Sequence, residues 1–430
     1  MKIFITGLTT VHWGRMEYGN VGNFYIVKSL FEHINRVFPE ADVNTTFQMT
    51  DEFIEKYNIT VKPMDIYYSW KENDLDNALQ EFAIAQYYNK TGKCIKKTPY
   101  IEEIISSDII IDLSGDMWGD YADHVGKNRF LVNLLKMRVA QLFGKKTILF
   151  AGSQGPFEDE LTRDFAQIVY ENYTAVLARE PQAIENVKKY GFDTKNTKLF
   201  ACPAFLFEPV SKDKVTEILD IEKIENDKTL IGVTICGFNM DTQPYDKWPR
   251  KDSEYDKWVE ILEDAYSKTG ARFVFISHSN GFELPPNFKS IHGRDYPILK
   301  QLQTILINKG NIPKENLLFL EGVYSPEIIK GVIGNMDMMI TGRVHASVAA
   351  ISQNVPTVFI PYTDSMKSTK ILGFATLAGV QEYVASETDE IKRAIQRCYN
   401  NRDEIRTILE KNIPKVKETA KSTFDYLKRV

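Results

Sequence analysis

Short apolar runs alternate with longer stretches of helical periodicity along most of this chain. In the first half, residues 2–6, 42–46, 59–62, 108–113, 147–152, 174–178 and 198–201 predict strands. Residues 22–37, 74–88, 130–143, 161–172 and 181–190 lie between them and predict helices. Buried runs separated by amphipathic segments are the pattern of βα units on a parallel sheet. From 209 to 229 the chain becomes charged and poor in aromatics, which reads as a surface connection. Alternation then restarts, with strands expected at 230–235, 272–277, 317–319, 338–341 and 357–360. Helices are expected at 252–268, 296–309, 325–336 and 345–353. The reading is α/β, with two Rossmann-like domains facing a cleft. The first covers 1–210, a linker 211–229, the second 230–386, and a C-terminal helical tract 387–430.

Composition supports this and removes some functions. A chain of 430 residues exceeds what one hydrophobic core usually supports. The balance of 53 basic and 58 acidic residues gives −5, so a general nucleic-acid binder is not expected and any anion site must be local. Cys94, Cys202, Cys236 and Cys398 are widely spaced and form no CxxC pair, which fits reduced thiols rather than a disulfide framework or a zinc site. His12, His33, His124, His278 and His292 are scattered, without metal-ligand spacing, so no metal is expected. The start of the chain lacks signal-peptide character, and no apolar run is long enough to span a bilayer. A cytoplasmic protein is expected, and a peripheral contact with a membrane surface stays open. Oligomeric state is not legible.

The chemistry-bearing residues cluster at predicted strand ends. Arg343-Val344-His345 stands where the run ending at Thr341 gives way to a small-residue helix. In open α/β sheets, ligands bind at the carboxyl ends of strands. A helix start offers unpaired N–H groups to an anion, Arg a planar fork, and His a proton that moves near neutral pH. Arg179, before Pro181, occupies a similar place in the first half. Asn20 and Gly22 belong to a glycine-spaced turn before a helix, and Gly115 and Asp116 to a loop after the strand ending at 113. Trp118 and Tyr121 there offer flat faces of the kind that suit sugar rings. Gln154 lies in a Gly-Pro loop, and His278 follows another strand. Each has a plainer reading as a turn, a salt bridge or a core residue. Walker-type glycines and a GxSxG elbow are both missing, against a P-loop NTPase and an α/β-hydrolase.

Taken in order, Gly19-Asn20-Val21-Gly22, the loop through Asp116, Gly155-Pro156-Phe157, Arg179 and Arg343-Val344-His345-Ala346 resemble the polysaccharide pyruvyl transferase family. The chain departs from that pattern at Asn23 and Cys202, where the family often carries Asp. The resemblance implies a GT-B-like architecture, with the acceptor side in the first domain and the donor anion side in the second. It implies transfer of pyruvate from phosphoenolpyruvate to a sugar of a cell-surface polysaccharide or its precursor, forming a ketal and releasing phosphate. Phosphoenolpyruvate and a carbohydrate acceptor would be the partners, with no further cofactor. His345, Arg343 and Arg179 would be catalytic, the two arginines clamping the donor from opposite lobes. Asn20, Gly22, Gly115, Asp116, Gln154, Val344 and His278 would bind substrate. The alternatives are a GT-B glycosyltransferase using a nucleotide sugar, for which Asp364 is the nearest later acid after His345, and a non-catalytic sugar- or anion-binding protein.

Overall fold

The computed structural model describes residues 1–8, 16–124, 126–242, 247–283, 289–363 and 365–430, and of 365–369 only the backbone. His12 and Asp364 lie outside the described residues. The chain forms two compact units. One comprises Met1–Met16, Leu30–Pro203 and Thr419–Val430, the other Glu17–Ser29 and Ala204–Glu418.

In the first unit, the described strands are β1 (Lys2–Thr6), β2 (Asp42–Thr45), β3 (Ile59–Val61), β4 (Ile109–Asp112), β5 (Lys146–Gly152), β6 (Ala175–Ala178) and β7 (Thr197–Leu199). They pair in parallel in the order β3-β2-β1-β4-β5-β6-β7, so strand order reverses between β1 and β4. The four residues of β4 are all buried, as expected of a strand with helices on both faces. Trp118 is fully buried, with Phe130, Phe157, Tyr170, Tyr173 and Phe192 set edge-on around it. The expectation that Trp118 presents a face to a ligand is therefore corrected: its large apolar area fills the core.

In the second unit, β8 (Leu230–Thr234), β9 (Arg272–Phe275), β12 (Leu317–Phe319), β13 (Met338–Thr341) and β14 (Thr357–Phe359) form a parallel sheet ordered β12-β9-β8-β13-β14. Order reverses between β8 and β13. A small antiparallel pair, β10 (Gly281–Phe282) with β11 (Ser290–Ile291), was not foreseen.

Two differences from expectation concern boundaries. Residues 211–229, read as a linker, carry a helix, Lys212–Ile221, capped by the Ser211 side chain. Its sparse apolar stripe of Val215, Ile218 and Leu219 is buried, hidden in the sequence among charges. Glu17–Ser29, assigned by sequence to residues 1–210, groups with the second unit. The C-terminal tract is helical, at Thr388–Asn400 and Arg402–Leu427, and its end groups with the first unit, where Phe424 lies against His33 and Phe150. Among the described residues no helix is long and apolar enough to cross a membrane.

Candidate functional site

The second unit gathers its candidate residues around the reversal of its sheet. Arg343 is the N-cap of the helix Val344–Ile351, which follows β13 after Gly342. Its backbone N–H donates to the Thr341 hydroxyl, 3.2 Å away, which fixes the turn out of the strand. Val344 is buried and His345 half-buried in the first turn of the helix.

The Arg343 fork is not idle. Nε donates to both carboxylate oxygens of Asp295 at 3.1 and 3.0 Å, and Nη2 donates to Oδ1. Asp295 has 0% exposure and Arg343 8%, so this is a buried ion pair. Burial works against the guanidinium charge, but Asp295, together with Cys236 and Tyr362, raises its pKa well above the ordinary arginine value. Nε and Nη2 thus serve the carboxylate, and the guanidinium also hydrogen-bonds the Tyr362 side chain.

Asp295 reaches a second candidate. Its Oδ2 accepts the backbone N–H of His278 at 3.2 Å. His278 follows β9 and is buried, set edge-on to Tyr25, and its Nε2 has no hydrogen-bond partner. Burial first, then the nearby His345 and Arg343, push its pKa well below the usual histidine value. It is a neutral imidazole with one unmet nitrogen.

The glycine-spaced turn completes this group. Asn20 Oδ1 accepts the N–H groups of Gly22 at 3.0 Å and Asn23 at 3.3 Å, capping the helix Val21–Val37. Asn20 bridges to Ser279, and Asn280 donates its N–H to the Gly19 carbonyl at 2.8 Å. Gly22 lies directly against His345: a Cβ added there would overlap the His345 Cβ and stand 2.7 Å from its Cγ and Nδ1. The fold thus gives Asn20 and Gly22 structural work, one as a cap and one as the floor under an imidazole.

The first unit brings Gly115, Asp116, Gln154 and Arg179 to the ends of the adjacent strands β4, β5 and β6. Their loops are zipped together. Ser153 donates its N–H to the Gly115 carbonyl, Gly155 to Trp118, and Asp120 to Pro156, at 3.0, 2.9 and 2.9 Å. Much of the shape of the 152–157 loop is therefore set by its neighbour. Gln154 is buried, folded over Gly152, and its Nε2 has no partner. Arg179 is buried and donates from Nε to Ser153 Oγ at 2.8 Å, and Ser153 donates to Glu180, which caps the helix Pro181–Lys189. Asp116 is half-buried. Arg179 belongs to the first unit and Arg343 to the second.

Sequence reasoning missed Asp295. It begins the helix Asp295–Lys309 just after the small hairpin, and nothing in the spacing of one acid tied it to Arg343, 48 residues away.

Comparison with known proteins adds two findings. The model of the family described as polysaccharide pyruvyl transferase matches residues 20–365. No curated protein matches the chain. Among solved structures it is similar to Anabaena HepE in complex with UDP and glucose, at TM-score 0.56 and 12% identity, covering 100% of both chains. It is similar to UDP-GlcNAc 2-epimerase from Neisseria meningitidis bound to UDP-GlcNAc, at TM-score 0.54 and 11% identity, again covering 100% of both. The UDP-GlcNAc 2-epimerase of Methanocaldococcus jannaschii gives TM-score 0.52 and 14% identity over 93% of this chain and 92% of that one. At such identities the likeness is one of fold, a GT-B-like α/β architecture.

Proposed function

The chain belongs to the polysaccharide pyruvyl transferase family, and on that premise we propose that it transfers pyruvate from phosphoenolpyruvate to a carbohydrate acceptor as a ketal. The observation that carries this reading is the Arg343–Asp295–His278 group with His345 beside it, at the carboxyl ends of β13 and β9.

Phosphoenolpyruvate carries a carboxylate and a phosphate, nearly three negative charges at neutral pH. The Arg343 charge and the N–H groups at the start of Val344–Ile351 suit such a ligand. His345 would deliver a proton to the enol methylene carbon while a sugar hydroxyl attacks C2. A second hydroxyl then closes the ketal as the C2–O bond to phosphate breaks. General acid–base help of this kind contributes typically ~10²–10⁴ in rate. His278, neutral with an unmet Nε2, suits a hydrogen bond to a hydroxyl or an anionic oxygen of the bound substrate. In the first unit, Gly115, Asp116 and Gln154 are assigned to the acceptor, and Arg179 to the donor as a further cation. A cytoplasmic enzyme acting on cell-surface glycan precursors follows from the same reading.

The test is release of inorganic phosphate from phosphoenolpyruvate, with β-galactosides and N-acetylmannosamine-containing lipids as acceptors. Thermal shifts with phosphoenolpyruvate, UDP and GDP run beside it, because a ligand of the native state raises the melting point. Acceptor-dependent phosphate release supports the proposal. Turnover with UDP-sugars alone overturns it in favour of a glycosyltransferase, the chemistry that the UDP ligands of the fold relatives make the natural control.

A further inference from the structure

One buried amide in the second unit ties together three loops beside Arg343. Asn239 follows β8 and is buried. Its Oδ1 accepts the backbone N–H of Cys236 at 3.0 Å and the Cys236 thiol at 3.2 Å. Its own N–H donates to the Cys236 carbonyl at 2.9 Å. Its Nδ2 donates to the carbonyls of Ile360 and Pro361, past the end of β14, at 3.4 Å each. From the helix Asp256–Thr269, the Trp258 indole N–H donates to the Asn239 carbonyl at 3.3 Å. The third loop is the turn out of β13. Gly342 lies there against the amide: a Cβ added to it would overlap Asn239 Oδ1 and Cγ and stand 2.5 Å from Nδ2.

The loops follow β8, β13 and β14, which are neighbours in the sheet, and two of them carry groups that meet at the guanidinium. Gly342 directly precedes Arg343, and its N–H donates to the Thr234 carbonyl at the end of β8, 2.6 Å away. Pro361 directly precedes Tyr362, whose side chain hydrogen-bonds Arg343. The Tyr362 ring lies 5.1 Å from that of Phe238, and Thr363 donates its N–H to the Phe238 carbonyl at 3.0 Å. Asn239 therefore touches the residue before the arginine and the residue before the arginine's hydroxyl partner. Gly342 is not among the glycines of positive φ, so it is the amide rather than the backbone conformation that calls for a missing side chain there.

We propose that Asn239 is a positioning residue that sets Arg343 and Tyr362 for the donor anion, and that Gly342 is glycine in order to admit it. The proposal deepens the pyruvyl reading and rests on it for the identity of the donor. It is tested by a double-mutant cycle, with phosphoenolpyruvate titrated calorimetrically into full-length wild type, Asn239→Ala, Gly342→Ala and the double variant. Each single change should weaken binding about tenfold, the scale of coupling within one contact network, the first by removing the amide and the second by displacing it. The double variant should bind no more weakly than the weaker single, because the added methyl fills space that the amide has left. A merely structural role would lower the melting temperature and leave the affinity of the folded protein unchanged. That result, or additive losses in the double variant, overturns the proposal. Should one single variant fail to fold, the other decides alone, and loss of folding in both makes the role structural and overturns it. If wild type binds UDP but not phosphoenolpyruvate, the pyruvyl reading fails by itself and the cycle is run with UDP, where the same pattern supports Asn239 and unchanged affinities overturn it. Binding of neither ligand overturns both.

Discussion

Gly22 and His345 interlock: the absent side chain of one is the space that the imidazole of the other occupies. Glycine inside a helix normally costs about 1 kcal/mol relative to alanine, so its use one residue into Val21–Val37 needs a reason, and His345 supplies it. The expected outcome for Gly22→Ala follows from that overlap. The His345 Cβ is tied to its own helix and cannot swing away as a ring tip could. Circular dichroism should show a folded protein, while phosphate release falls at least about tenfold through loss of acid–base geometry. Turnover at the wild-type rate would show that the imidazole position is not critical.

The buried pair Arg343–Asp295 gives a stability prediction. Removing one partner leaves the other charged and unpaired, so Asp295→Ala and Arg343→Met should each lose about 3–5 kcal/mol in urea denaturation. Replacing both with apolar residues, as in Asp295→Leu with Arg343→Met, should cost much less than the sum of the two. Additive losses would mean that the two groups do not depend on each other.

Asp112 and His278 should move stability in opposite directions with pH. Asp112 is fully buried among Ser114, Asn133 and Tyr173, and burial raises its pKa to about 6 against those hydrogen bonds. The folded state therefore holds this proton more tightly than the unfolded chain does. Its contribution is present below the ordinary carboxyl range and is lost as pH rises through about 6. The gap between the two values corresponds to about 3 kcal/mol as an upper figure. Against wild type, Asp112→Asn should gain relative stability between pH 4 and 7 in paired denaturant titrations. An unchanged difference across that range would place the Asp112 pKa near that of an ordinary carboxyl.

Much of the fold was legible because parallel strands buried on both faces leave unbroken apolar runs, as in Ile109-Ile110-Ile111. Arg343, His345 and His278 were legible for a similar reason: each follows such a run, and strand ends are where ligands meet α/β sheets. Other features left no local trace. The helix at Lys212–Ile221 hides three buried apolar residues in a charged stretch. Asp295 owes its importance to the guanidinium it touches, and that depends on three-dimensional proximity. Trp118 was misread because an aromatic beside a glycine loop looks the same in sequence whether it faces a ligand or the core.

His278 supplies the last prediction. Its imidazole is held neutral by burial, with His345 and Arg343 adding to the effect. A depressed histidine pKa means that the unfolded chain takes up a proton near pH 6.5 while the folded protein resists. The stability this group lends is therefore complete above that pH and falls away below it. His278→Gln cannot titrate, so its stability relative to wild type should rise on going from pH 7.5 to pH 5. The same change should lower turnover if the unmet Nε2 contacts substrate. Nitrogen NMR of labelled histidine gives a direct reading, since the His278 signal should keep its neutral shift where exposed histidines titrate. A His278 that becomes charged near pH 6.5 would remove it as a neutral partner for the substrate.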